Sequence, residues 1–448
     1  MKRSRPRWLL LLLALTAALA STAPLSAAVP GQLDETIGTH GLVTTNLGGT
    51  YDWPYAVAVQ RDGKTVVAGV SNAAGTYDFA LARYLPDLSL DPGFGHGGTV
   101  LTDFGDSWDW AYAVAVQPDG KIVVGGVSDV TDSKGFALAR YQPDGTLDRS
   151  FGDGGRLSQD LRRLTADVVH AVMIEPDGKI LAAGVTYEDE VVIRPNGDFM
   201  LARYTPDGRP DPGFGLGGTV TTDFGSGSYD EPYAAVRQRD GRILLGGYTF
   251  DSGGVVGDGH GNRILYGVDQ LAMARYTPGG MLDESFGRGG KVAVDAGTMD
   301  EEIHGLAVTP DDRILAAGFV NGERRGEMLL ARFRPDGTLD PDFGQHGLTV
   351  TAPAGSRSER FSGIVLQPDG KIVVGGQVAK GPSGDFAVLR YGPQGSLDPA
   401  FGESGLVAVD FAGREDQVRA LSLQPDGKIV GVGSSETDFA LVRLHGGG

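Results

Sequence analysis

The chain has 448 residues, 71 of them glycine and none cysteine, with a formal net charge of −18. This acid excess argues against nucleic acid and anionic membrane surfaces as partners. Without cysteine there is no disulfide, lipid-modified amino terminus or thiolate nucleophile.

Residues 1–28 read as a leader rather than part of the fold. Lys2, Arg3, Arg5 and Arg7 make a basic start, residues 9–20 are apolar, and small residues follow. This is the pattern of a secretory signal peptide, too short to span a bilayer. Cleavage after Ala20 or after Ala28 suits the small-residue rule. Ala28 is preferred, because repeated sequence begins near Gly31. Removal of the four basic residues leaves −22. No second apolar run is long enough to cross a membrane. The expected product is exported, to periplasm or medium, and monomeric.

From Gly31 onward one pattern returns seven times. The turn Gln117-Pro118-Asp119-Gly120-Lys121 recurs at 60–64, 175–179, 238–242, 309–313, 367–371 and 424–428. At 309–313 Asp312 stands where the other copies have glycine. In the second copy, residues 111–117 alternate and are rich in valine and alanine, and Asp-Gly signals a hairpin. Residues 121–127 follow as a second strand, 136–141 as a third and 155–161 as a fourth. No helical period competes, so each copy is one four-stranded antiparallel sheet. Fixed positions for the glycines mark them as turn residues rather than low complexity.

The ends of the pattern choose between a stack and a ring. The repeat opens on the fourth-strand segment at 33–47 and closes on a third strand at 439–444, and each fragment completes the other. A sheet shared by the termini closes a ring and leaves no terminal sheet unpaired. Residues 29–448 are therefore expected to form a single all-β domain. It is a seven-bladed β-propeller of four-stranded antiparallel blades, in repeats of about 57–72 residues. The valine- and alanine-rich strand suits the crowded axis and is placed innermost. Asp-Gly turns then lie on one face. Crossings between blades and second-to-third loops lie on the other, here the upper face.

The stretches LDPGFGHGG (90–98), AVAVQPDGKIVVGG (113–126) and FALARY (136–141) resemble the delta-60 repeat family of exported bacterial proteins. The resemblance covers essentially the whole chain after the leader. It implies a β-propeller without assigned function and brings no catalytic residues. The layout is also similar to NHL-type propellers, whose blades use an equivalent Asp-Gly hairpin.

Three sets of residues stand out. Arg83, Arg140, Arg203, Arg275, Arg332, Arg390 and Arg443 end the third strands, and Asp34, Asp91, Asp148, Asp211, Asp283, Asp340 and Asp398 follow the next turn. Their expected role is structural, a repeated guanidinium–carboxylate pair within or between blades. Asp52, Asp109, Asp167, Asp230, Glu301, Glu359 and Asp416 precede the inner strands. On the assigned strand order they ring the upper mouth, a place for a cation such as Ca2+ or for a basic ligand. The other reading has each carboxylate capping its own crossing loop. No calcium loop of the Asp-x-Asp-x-Asp-Gly kind supports the metal, and residues 257–262 are merely glycine-rich. Aromatic and imidazole groups form the third set: Trp53, Trp108, Trp110, Tyr55, Tyr112, His170, Tyr233 and His304. They suit stacking on a sugar or gripping a peptide, and equally packing between blades.

Insertions at 187–197 and 249–270 also belong to the upper face, where function tends to gather on loops. The sequence contains no Gly-x-Ser-x-Gly elbow, His-Glu-x-x-His pair or phosphate loop. The expectation is a noncatalytic binding or scaffold module for a protein or carbohydrate ligand. The alternative is a calcium-dependent propeller hydrolase or lactonase acting at the channel, where Ser362, Arg419, His170 and His304 break the repeat.

Overall fold

The computed structural model describes residues 29–447 except 106–107, 130–134, 160–166, 188–196, 226–227, 258–262, 299, 323–324, 354–358, 380–382 and 412. Side chains of 251–257, 263–266, 322, 325 and 359–360 are likewise outside it. The leader at 1–28, the insertion at 188–196 and the glycine-rich 258–262 lie outside the described residues.

All regular structure among the described residues is strand, arranged as seven four-stranded antiparallel sheets. Blade one runs β2 (Asp52–Val59), β3 (Thr65–Ser71), β4 (Asp78–Tyr84) and β5 (Thr99–Thr102), in that spatial order. Five further blades repeat it. The seventh joins Asp416–Leu423, Ile429–Ser435 and Asp438–Leu444 to β1 (Leu42–Thr45), which pairs antiparallel with the last of them. First strands sit against one another around the axis, and Asp416–Leu423 lies against β2 to close the circle. Strand order and ring closure are as the repeat pattern implies. Among the described residues no helix is long and apolar enough to cross a membrane.

Local chemistry explains each blade. Between first and second strands of blade two, the Gly120 amide donates to the Gln117 carbonyl at 2.9 Å, with Gly120 at φ 87°. Glycine adopts that left-handed conformation without a Cβ clash. Asp312 takes the same place at φ 62° and keeps the turn bond, Asp312 N to Thr309 O at 3.0 Å. Aspartate tolerates this region better than most residues.

Second and third strands are buried on both faces, because each sheet is sandwiched between two neighbours. There is consequently no single core. Seven apolar clusters each fill one junction, as Val66, Ala68, Phe79, Leu81 and Phe94 of blade one do against Ala111, Ile122, Val124 and Ala137 of blade two.

The recurring arginines tie each blade to itself and to the next. Arg140 Nε donates to Asp148 Oδ2 at 2.8 Å, Nη1 donates to the Pro206 carbonyl of blade three, and the guanidinium lies 4.8 Å from the Phe151 ring centre. The pair recurs as Arg83–Asp91, Arg203–Asp211, Arg275–Asp283, Arg332–Asp340, Arg390–Asp398 and Arg443–Asp34. The last bridges the two ends of the chain.

The inserted segment of blade four is extended rather than looped. Strands Ile243–Gly257 and Arg263–Tyr276 continue pairing out to Gly257 opposite Arg263, past an irregularity between Ser252 and Gly254. A two-stranded arm thus projects at the end where the inner strands begin.

Candidate functional site

One irregularity, repeated in every blade, builds the site. In each inner strand the pairing skips a single residue: Tyr55, Tyr112, His170, Tyr233, His304, Ser362 and Arg419. Such a bulge leaves its residue outside the ladder and re-aims the side chain. The neighbouring strand must make room. A Cβ on Gly126 would sit 1.8 Å from the Trp110 carbonyl oxygen, and Gly69, Gly184, Gly247, Gly318 and Gly433 face the same crowding. The second glycine of the Val-Val-Gly-Gly run is therefore there for the bulge.

The bulged side chains meet one another around the axis. Ring centres lie 5.0 Å apart for Tyr55–Tyr112, 5.4 Å for Tyr112–His170, 5.3 Å for His170–Tyr233 and 4.5 Å for the stacked Tyr233–His304. Arg419 continues the circle, its guanidinium 5.4 Å from the Tyr55 ring and 5.9 Å from Trp53. At this level the ring is aromatic through five blades, then Ser362, then cationic.

One step above the bulge the residues are Trp53, Trp110, Val168, Glu231, Glu302, Arg360 and Gln417. Two of them form dyads with the histidines. His170 Nε2 is 3.0 Å from Glu231 Oε1, and His304 Nε2 is 2.8 Å from Glu302 Oε2. Tyr229 donates its hydroxyl to Glu231 at 3.0 Å and shares a 3.1 Å bond with Tyr187. Burial alone would raise the Glu231 carboxyl, but hydrogen bonds from His170, Tyr229 and Tyr233 hold it below the ordinary range. The Tyr112 phenol is pushed up to about 12, first by burial and then by the Glu231 charge. Tyr55, Tyr233 and Tyr248 are raised by burial too, so these hydroxyls are donors at neutral pH.

On blades one and two the same side is a cluster of larger rings. Tyr51 stacks on Trp53 at 4.3 Å, and Tyr77 meets Tyr51 at 5.2 Å, Trp108 at 5.6 Å and Trp110 at 5.9 Å. Trp108 is 59 % exposed, a large apolar ring left facing solvent at the edge of the cluster. All eight aromatic and histidine candidates of the sequence are thus brought into one continuous surface. Glu231 and Glu302 were not among them. Aligning the copies one place past the acidic position, where Trp53 and Trp110 stand, would have exposed both.

The acidic positions are elsewhere. Asp52, Asp109, Asp167, Asp230, Glu301 and Asp416 are fully buried rather than open at the mouth. They lie within the inner strands at their start, and alternation turns them to the face opposite the bulged residues. Five of them serve a crossing loop instead: Asp109 Oδ2 accepts the Phe104 amide at 2.7 Å, with equivalent bonds from Leu47 to Asp52, Phe224 to Asp230, Phe411 to Asp416 and Ala296 to Glu301. Among the described residues the expected ring around the mouth is corrected to six separate buried carboxylates, each on the face turned to the neighbouring blade. Burial raises Asp109 and Asp230 to about 6. The Glu359 side chain lies outside the described residues.

A family model described as "Domain of unknown function (DUF5122) beta-propeller" matches residues 60–94, 117–151, 175–214, 309–343, 367–401 and 424–448. Each complete match runs from the inner hairpin turn to the phenylalanine beneath the recurring arginine, and blade four, with its projecting arm, is the one passed over. No curated protein matches the sequence. Among solved structures, an ulvan lyase, a polysaccharide lyase, is 11 % identical with a TM-score of 0.51, over 90 % of this chain and 96 % of that one. A streptogramin B lyase is 11 % identical with a TM-score of 0.49, over 90 % and 97 %. Sqt1 from Chaetomium thermophilum is 13 % identical with a TM-score of 0.45, over 90 % and 100 %. These likenesses concern the fold alone. The chain is a β-propeller repeat protein.

Proposed function

We propose that this β-propeller repeat protein, of the delta-60 type on its repeated residues, is an exported noncatalytic carbohydrate-binding module. Its binding surface is the upper mouth of blades one to five. The observation that carries the reading is Trp108, exposed at the edge of a cluster with Tyr51, Trp53, Tyr77 and Trp110. Flat rings take the apolar face of a sugar, while phenols and the Glu231 and Glu302 carboxylates offer donors and acceptors for its hydroxyls. The acid excess favours neutral or amino sugars over polyanions. Retardation of the protein in gels containing neutral and amino-sugar polysaccharides tests the idea. Retardation by at least one, weakened about tenfold or more in Trp108→Ala, is expected, since stacking on a ring contributes about 1–3 kcal/mol by analogy with bases. No retardation, or retardation that survives this change, sinks it.

A second reading rests on the two histidine–glutamate dyads that flank Tyr233. Such a dyad orients an imidazole for proton transfer, so the same mouth suits a hydrolase or lyase acting on the bound sugar. Release of reducing ends or unsaturated products by the wild type, lost in His170→Ala, would favour it over plain binding.

A further inference from the structure

Among the described residues, three blade junctions gather carboxylates at equivalent positions. In junction one–two, Asp78 opens the third strand, Asp103 follows the fourth, and Asp109 opens the next inner strand. Ligand oxygens of the three lie within 4.8 Å of one another. Asp198, Asp223 and Asp230 do the same in junction three–four, and Asp385, Asp410 and Asp416 in junction six–seven. Two members of the first group are buried, Asp78 at 1 % and Asp109 at 0 % exposure, whereas Asp103 faces solvent. No base among the described residues forms an ion pair with Asp78, Asp103 or Asp109. Arg156 and Lys291 bond the main-chain oxygens of Asp103 and Asp223.

Two observations beyond the clustering point to a ligand. Asp78 Oδ1 takes the Thr76 hydroxyl at 3.0 Å, but its Oδ2 is buried within the group with no hydrogen-bond partner. A buried carboxylate oxygen left bare is costly unless something positive meets it. Junction seven–one supplies the internal comparison. There Asn46 stands in place of the middle aspartate, and its Nδ2 donates to Asp438 Oδ1 at 2.7 Å. Where an amide is present, a proton donor satisfies the outer carboxylate. In junction one–two a third carboxylate stands there instead, and no proton donor among the described residues meets Asp78 Oδ2.

We infer that these three junctions are divalent-cation sites, filled by calcium, that staple neighbouring blades. Oxygen-only donors suit a hard cation, and ligands at about 2.3–2.6 Å from calcium span the observed oxygen separations. The exposed third carboxylate leaves room for water to complete the shell. Magnesium fits less well, because it demands a tighter octahedron and keeps its waters. Cation binding here does not depend on what the aromatic mouth binds.

The test is calcium calorimetry on the full chain after chelation, with magnesium as the competing probe and melting curves alongside. Three calcium ions per chain are expected, falling to two in Asp103→Asn and to none in Asp103→Asn/Asp223→Asn/Asp410→Asn. That triple variant installs the arrangement junction seven–one already uses, so it should fold. Asp438→Asn should leave three. In EDTA the triple variant should melt above the wild type, and with calcium below it. Absence of calcium heat at millimolar concentration, stoichiometry unmoved by the triple substitution, or tighter binding of magnesium than calcium would overturn the assignment.

Discussion

Buried aspartates in this protein fall into two populations with opposite responses to acid. Asp34, Asp91, Asp148, Asp211, Asp283, Asp340 and Asp398 all sit below the ordinary carboxyl value, because hydrogen bonds and the arginine and lysine charges overcome the burial that would raise them. Asp109 and Asp230 are raised to about 6, first by burial. A depressed carboxyl adds stability above its unfolded value, and that stability is lost as pH falls through the folded value. A raised carboxyl costs stability at neutral pH, and the cost fades as pH falls through about 6 towards the unfolded value. In calcium-free buffer the melting temperature should therefore climb between pH 7 and about 5, then drop below about 4. Calorimetric scans across that range check it, and a steady fall from pH 7 to 5 would show that the junction carboxylates are not strained. The recurring acidic position was plain from the residues. That it is buried depends on which face of the inner strand it occupies, and a one-residue bulge decides that.

At the scale of one element, the inner strand shows why the glycines cannot be read as turn markers alone. Gly120 is a turn residue, with φ 87°. Gly126 lies in mid-strand, where a Cβ would meet the Trp110 carbonyl oxygen at 1.8 Å and the Ala111 Cα at 2.9 Å. Backbone cannot swing aside as a flexible side chain can. Gly126→Ala should cost about 3 kcal/mol, at the upper end of overpacking penalties, and should move Tyr112 out of the arc. Gly225→Ala, where a Cβ meets nothing within 4 Å, should change stability by no more than about 0.5 kcal/mol. Urea denaturation of the pair checks the contrast, and equal effects would mean that the bulge is soft. Period-two alternation made the strand visible, but the skipped residue leaves no mark in that alternation. Tyr112 and His170 could be aligned with each other from the copies. Their meeting as tilted rings 5.4 Å apart could not.

For the whole molecule, the decisive contact is the one that joins the ends. β1 completes the last blade through four residue pairs, from Leu42 opposite Val442 to Thr45 opposite Phe439. Asp34 pairs with Arg443 at 2.9 Å, and Arg443 also bonds the Pro86 carbonyl of blade one. A variant beginning at residue 47 would leave a sheet edge open and a buried arginine without its carboxylate, a loss of about 3–5 kcal/mol from the pair alone. It should melt lower and over a broader range, and a synthetic peptide of residues 31–47 should restore both. A truncated chain with the full-length melting curve would mean that the ring holds without its closing strand.

The residues by themselves determined the all-β class, seven blades, the four-strand order and the shared closing blade. Each of these follows from a periodic pattern and from the need to leave no strand unpaired. They also marked the arginine–aspartate pairs, because a charge placed identically in seven copies has to be matched. Only the tertiary structure decided that the acidic position of the inner strand faces the next blade rather than the axis. It alone assembled the arc from Tyr55 to His304, coupled Glu231 and Glu302 to the histidines, and brought Asp78 to Asp109 across a junction. Those contacts join residues of different blades, and the angle between blades is set by packing that no single repeat contains.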